Sequence, residues 1–132
     1  MSRVDETFSD KRISSEMSSI TGKAWKSVGR VTTLAGDGMP GFADGVGGQA
    51  RFNGPMGVAV DGAGRVFVAD TWNDRIRVIE ADGRVWTLAG GGRPGFADGR
   101  GDQARFDTPT GIALDADGVA WVADMNNDAL RT

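Results

Sequence analysis

The chain has 132 residues, room for one ordinary domain, with 39% hydrophobic residues, 21 glycines and a formal net charge of −3. That mild acidity argues against a nucleic-acid surface, which needs a concentrated basic face, and no apolar run is long enough for a membrane span or a signal peptide. Cysteine, histidine and tyrosine are all missing, which removes thiol chemistry, disulfides and the commonest general base and metal ligand.

Residues 1–28 differ in composition from the rest. All seven serines and all three lysines of the chain lie here. With few large apolar residues and mixed charges, this segment is expected to be a flexible polar tail. A short helix over 10–20 is the alternative, because Ile13, Met17 and Ile20 fall on one helical face. Ala24 and Trp25 occupy the positions that Val78 and Ile79 hold one repeat later, which marks them as a decayed strand.

From Gly29 onward the pattern is all β. Residues 30–35 (RVTTLA) are rich in β-branched side chains and read as a strand. A glycine-rich connection follows over 36–54, long enough to be a self-packed or functional loop, with Phe42 and Phe52 expected to plug apolar gaps beneath it. Residues 57–61 and 65–70 are short strands around a Gly-Ala-Gly hairpin turn; 75–80 alternates charged and apolar residues; 84–89 completes the set after an Asp-Gly turn. Alternation puts Val58, Val60, Val66 and Val68 on one sheet face and Phe67 and Trp86 on the other.

The same order then recurs. Shifting the chain by 54 residues aligns 83–132 with 29–78 without a gap, and thirty of the fifty paired positions are identical. "GRVTTLAGDGMPGFADG" becomes "GRVWTLAGGGRPGFADG", and "FVADTWND" becomes "WVADMNND". Ungapped self-similarity at such a period marks a repeat architecture, and four short antiparallel strands per repeat without a helix fit a propeller blade better than a solenoid coil. The chain therefore divides into the 1–28 tail, a repeat at 29–82 and a truncated repeat at 83–132.

The runs "PMGVAVD…GRVFVADTWNDRIRVIEADG" and "PTGIALDADGVAWVADMNNDALR" resemble NHL repeats, and "TLAG…PGFADG…ARF" resembles the longer loop that many such repeats carry. The resemblance covers 29–132 and implies an all-β fold of about two four-stranded β-propeller blades, part of a six-bladed ring. Two departures stand out. With the four strands of a blade lettered A to D from the innermost outward (57–61, 65–70, 75–80 and 84–89 in the first copy), the pattern usually places a histidine before the arginine of its B–C turn, whereas here the residue is Asp74 or Asp128. That arginine is Arg75 in the first copy and Ala129 in the second, which bears on the second blade's polar network. Residues 30–35 match the outermost strand of a blade whose other strands are not in this chain, so two arrangements are open. Either the chain is a fragment of a longer propeller protein, or three copies form a cyclic trimer in which 30–35 of one completes the blade of the next.

Candidate sites follow from the repeat. Asp70, Asn73 and Arg75, echoed by Asp124 and Asn127, form an expected structural network at the B–C turns. The Asp-Ala-Asp-Gly run at 115–118 has a calcium-loop flavour but lacks the downstream carboxylates, so it reads as a hairpin turn; Asp44, Asp98 and Asp102 read as caps for loop amides. No metal site, cofactor or catalytic residue is assigned. Positions where the copies differ are the better binding candidates, because shared positions maintain the blade. These are Thr71 and Trp72 against Met125 and Asn126, together with Arg93 and Arg100, which replace Met39 and Val46. The expected function is a non-catalytic scaffold that binds a protein or other ligand at a propeller rim. The alternatives are a fragment with no activity of its own, or a carboxylate- or metal-dependent lyase or lactonase. Nothing in the sequence indicates a cellular compartment.

Overall fold

The computed structural model describes Ser2–Asp5 and residues 28–132, so nearly all of the expected tail, including the alternative helix, lies outside the described residues. The chain divides into two compact units, 1–34 and 35–132. In the first, strand β1 (Ser2–Asp5) pairs antiparallel with β2 (Arg30–Thr33), Ser2 opposite Thr33 and Asp5 opposite Arg30.

The second unit holds two antiparallel sheets. One has five strands in the order β3 (Gly45–Val46), β7 (Arg84–Ala89), β6 (Arg75–Ile79), β5 (Val66–Asp70), β4 (Pro55–Val60). The other has three in the order β10 (Ala129–Arg131), β9 (Ala120–Asp124), β8 (Pro109–Leu114). The first sheet is the complete four-stranded blade of the sequence reading, with one addition. The long loop bends back so that β3 pairs with the outer strand, Gly45 opposite Val85. The second sheet is the same blade through its third strand. Both inner strands carry a bulge at one point, between Pro55 and Gly57 and between Pro109 and Gly111, so the repeat extends to irregularities of the backbone.

Register confirms the expected faces. Val58 lies opposite Val68 and Val60 opposite Val66, whereas Ala59, Phe67, Val78 and Trp86 run across the other face. That second face, with Ala69 and Ile76, turns toward the second blade. Ala69 and Ile76 form a buried cluster with Phe106 and Val122, flanked by Leu88, Ala89 and Ile112. Gly57 sits where the two inner strands come closest: a Cβ there would lie 2.6 Å from the Thr110 carbonyl oxygen and 3.0 Å from the Gly111 Cα. Only glycine permits that approach. Two hydrogen bonds cross the same boundary, from Thr71 Oγ1 to the Pro109 carbonyl at 2.7 Å and from the Thr108 N–H to Asp74 Oδ1 at 2.8 Å.

The long loops are built alike. Loop 36–54 holds an isolated bridge between Ala43 and Arg51 and a short 3-10 turn at Gly47–Gln49; loop 90–108 holds a bridge between Ala97 and Arg105 and a turn at Gly101–Gln103. Phe52 and Phe106 are buried as expected. Phe42 and Phe96 are not: they stay exposed, because their rings serve as platforms for arginines rather than as plugs.

Candidate functional site

At the end of β5 the chain leaves the sheet at Asp70, makes one 3-10 turn over Thr71–Asn73, and re-enters β6 through Asp74 in the left-handed conformation, φ 51°. The second blade repeats this with Asp124, Met125–Asn127 and Asp128, again at φ 51°. Asp tolerates that conformation better than most residues, which suits it to this position in both copies.

Asp70 is fully buried and every contact it makes is accounted for. Its Oδ1 accepts the Asn53 N–H at 2.8 Å; its Oδ2 accepts Asn73 Nδ2 at 2.8 Å and one terminal nitrogen of Arg77 at 2.8 Å. Asn73 Nδ2 also donates to the Gly41 carbonyl. Arg77, fully buried as well, donates to the carbonyls of Arg51 and Ala43 and to Asp44 Oδ1 at 2.7 Å. Its Nε has no hydrogen-bond partner, but the guanidinium lies 4.7 Å from the Phe42 ring centre and 5.0 Å from that of Phe52. The group is a clamp. The Arg77 guanidinium ties down the loop carbonyls at 43 and 51, the Asn73 amide that at 41, and the Asp70 carboxylate holds the Asn53 N–H and both donors together.

The second blade reproduces the clamp atom for atom. Asp124 accepts the Asp107 N–H, Asn127 and Arg131; Arg131 donates to the Arg105 and Ala97 carbonyls and to Asp98; Asn127 donates to the Gly95 carbonyl. Asp70 and Asn73 lie together in the first of these networks, and Asp124 and Asn127 in the second. Arg75 stands elsewhere: its guanidinium stacks 3.7 Å above the Phe42 ring. Arg77, two residues on and on the loop-facing side of the strand, makes the ion pair in its place. Ala129 in the second copy therefore leaves the clamp intact and instead uncovers Phe96. Arg77 and Arg131 are absent from the network expected from the sequence; their identity one repeat apart, where Arg75 becomes Ala129, is the signal that marks them.

Asp61 and Asp115 serve the hairpin turns. Asp115 accepts the N–H groups of Asp117 and Val119 and the Trp121 indole N–H, which together hold its carboxyl below the ordinary range, the indole contributing most. Asp61 does the same for Ala63 and Arg65, and its ion pair with Arg65 lowers its pKa most. Asp44 and Asp98 hold arginines rather than loop amides.

The variable positions gather on the loops. Trp72 is 56% exposed, its indole lying over Gly54, where a Cβ would overlap the ring. The second copy replaces both partners together: Thr108 stands for Gly54 and Asn126 for Trp72, and Asn126 Nδ2 donates to Thr108 Oγ1 at 2.9 Å. Thr71 is buried and spends its hydroxyl on the neighbouring blade, whereas Met125, its counterpart, is exposed. Arg93 and Arg100 are exposed on the second long loop. Trp72, Met125 and Asn126 lie at the B–C corners, and the two arginines lie on loop 90–108, whose Asp107 carbonyl accepts the Asn126 N–H.

This geometry defines β-propeller blades, stacked face to face with a long loop clamped at each B–C corner. Residues 52–79 match the family model for the NHL repeat. The chain is 37% identical over 92 residues to the chloroplastic protein Suppressor of Quenching 1 of Arabidopsis thaliana, covering 69% of this chain and 9% of that protein. It is 38% identical over 78 residues to NHL repeat-containing protein 2 of Gallus gallus, covering 58% of this chain and 11% of that one. Among solved structures, an auxiliary nutrient binding protein of Bacteroides ovatus superposes with a TM-score of 0.67 at 30% identity, over 84% of this chain and 29% of that one. The chain spans about a tenth of the length of these curated relatives.

Proposed function

We propose that this chain is a non-catalytic binding scaffold, whose NHL-type blades present loops to a protein or small polar ligand at the B–C rim. One observation carries the reading. The buried polar groups able to support chemistry, Asp70, Arg77, Asp124 and Arg131, are committed to the same structural network in both blades. Among the residues that differ between the blades, Trp72, Met125, Asn126, Arg93 and Arg100 are exposed. An exposed tryptophan offers a flat apolar platform and the exposed arginines of the second long loop offer hydrogen-bond donors, which suits a sugar ring or an extended peptide. The similarity to a nutrient binding protein is in keeping with that ligand class.

The test is a thermal-shift and NMR screen of the purified chain against panels of sugars and short peptides, repeated with Trp72→Ala. Binding that moves loop resonances and weakens at least about tenfold in the variant supports the proposal. Lyase or lactonase turnover by the purified chain, or binding indifferent to every rim residue, would overturn it.

A further inference from the structure

The two blades of this chain meet through one face of the first and the opposite face of the second. Because the blades are copies, each face of that boundary recurs at the other end of the pair, where its apolar side chains are exposed among the described residues. On the first blade the contacting face carries Gly57, Phe67, Ala69 and Ile76; on the second, the same strand positions are Gly111, Trp121, Ala123 and Leu130. In the first blade Phe67, Ala69 and Ile76 are buried; in the second, Trp121 is 47% and Leu130 78% exposed. The receiving face shows the reverse. Ile112, Val122 and Phe106 are covered by the first blade, whereas Val58 and Val60, at the positions of Ile112 and Leu114, are 53% and 62% exposed. Val68 and Phe52, the counterparts of Val122 and Phe106, already form a buried floor beside them.

We infer that a second copy of this chain seats its Val58/Val60 face on the Trp121/Leu130 face of the first, repeating head to tail the contact already made inside the chain. The boundary itself identifies the occupant. The stereochemical demands met at Gly57 are met again at Gly111, whose outward side has no close neighbour and whose nearest atom is Ala123 Cβ at 3.5 Å, within its own sheet. Asp74 receives a backbone N–H across the internal boundary; Asp128 stands in the same left-handed position to receive that of Gly54 from the incoming copy, and Gly54 matches Thr108 in backbone angle, φ 60° against 59°. One bond is not reproduced: Met125 replaces Thr71 and offers apolar contact where the hydroxyl reached Pro109. Such a heterologous contact extends until it closes on itself, and three copies would bring six blades into one ring.

The test uses the full chain and two surface variants, Leu130→Asp and Val58→Asp. Both positions are exposed, so neither change perturbs the individual chain, which circular dichroism checks. Sedimentation velocity across the micromolar range is expected to show the wild type as a discrete oligomer, three copies being the closed form. Each variant alone is expected to be monomeric, with apparent affinity reduced at least about tenfold. Mixed together, the variants are expected to form a one-to-one dimer and nothing larger, because each still carries the face the other has lost. A monomeric wild type would overturn the proposal, as would an oligomer that survives Leu130→Asp or variants that fail to complement each other. The last outcome would indicate a two-fold contact, and a monomer would indicate that the faces belong to further blades of a longer polypeptide.

Discussion

Arg77 and Asp70 sit on neighbouring strands, both fully removed from water, with a terminal guanidinium nitrogen 2.8 Å from the carboxylate. A buried pair of this kind is costly to break from one side, because the remaining charge has no solvent to turn to. Here the consequence is also architectural, since the same guanidinium holds two carbonyls of the long loop.

Asp70→Asn and Arg77→Met should each destabilise the chain by about 3–5 kcal/mol, a large share of the 5–15 kcal/mol available to a domain of this size. Arg77→Lys should recover little of it, because one ammonium cannot reach the Arg51 and Ala43 carbonyls and both carboxylates in the fork geometry. The corresponding change at Arg131 should cost less, since its outer partner Asp98 is almost fully exposed and the pair is screened. Urea denaturation orders the four variants; equal effects at Arg77→Lys and wild type would remove the clamp from the account.

Gly54 and Trp72 fit one another as Thr108 and Asn126 do. Introducing Thr at 54 alone should cost about 1–3 kcal/mol, because the new side chain collides with the indole. Adding Trp72→Asn should restore most of that loss, since the double variant recreates the second blade's hydrogen bond. A double-mutant cycle by chemical denaturation measures the coupling; strict additivity would contradict the pairing.

The inner strands touch at Gly57 but not on the far side of Gly111. Gly57→Ala should lower the melting temperature markedly, because the added carbon meets backbone atoms of the next blade. In the Leu130→Asp background, where self-association is suppressed, Gly111→Ala should be tolerated within about 1 kcal/mol. In the wild-type background the same change should instead weaken association. Reversal of this order in calorimetry would displace the blade boundary.

Burial raises the carboxyl of Asp74 above its ordinary pKa of 3.8, against the opposing pull of the Thr108 N–H. The folded state therefore binds this proton more tightly than the unfolded chain, so the group's ionisation costs stability at neutral pH and the cost fades as pH falls through the raised pKa. Asp74→Asn keeps an oxygen for the Thr108 N–H and removes the charge. It should raise the melting temperature by about 1–3 °C at pH 7, and that advantage should shrink on acidification. A pH-independent gain would instead reflect asparagine's ease in the left-handed conformation.

The strand positions, the hairpins at Asp61 and Asp115 and the pairing of valines across β4 and β5 were all legible in the chain, because two-residue alternation and turn chemistry are local properties. So was the repeat, and with it the expectation that Asp70, Asn73, Asp124 and Asn127 act together. The choice of arginine was not. Arg75 and Arg77 both lie on the loop-facing side of an alternating strand, and only the fold of loop 36–54 decides which enters its interior and which lies on Phe42.

The sequence by itself determined a four-stranded blade, its recurrence, and the positions at which the copies diverge, since each is written in residue order. Tertiary structure decided which aromatic of each loop is buried, which carboxylates hold arginines rather than turns, and which two faces remain bare. Those outcomes depend on contacts between segments some 26 to 38 residues apart, where the loop-to-clamp and blade-to-blade hydrogen bonds fall. No local pattern carries that information, because the energy of a buried charge or an apolar face is set by what stands opposite it.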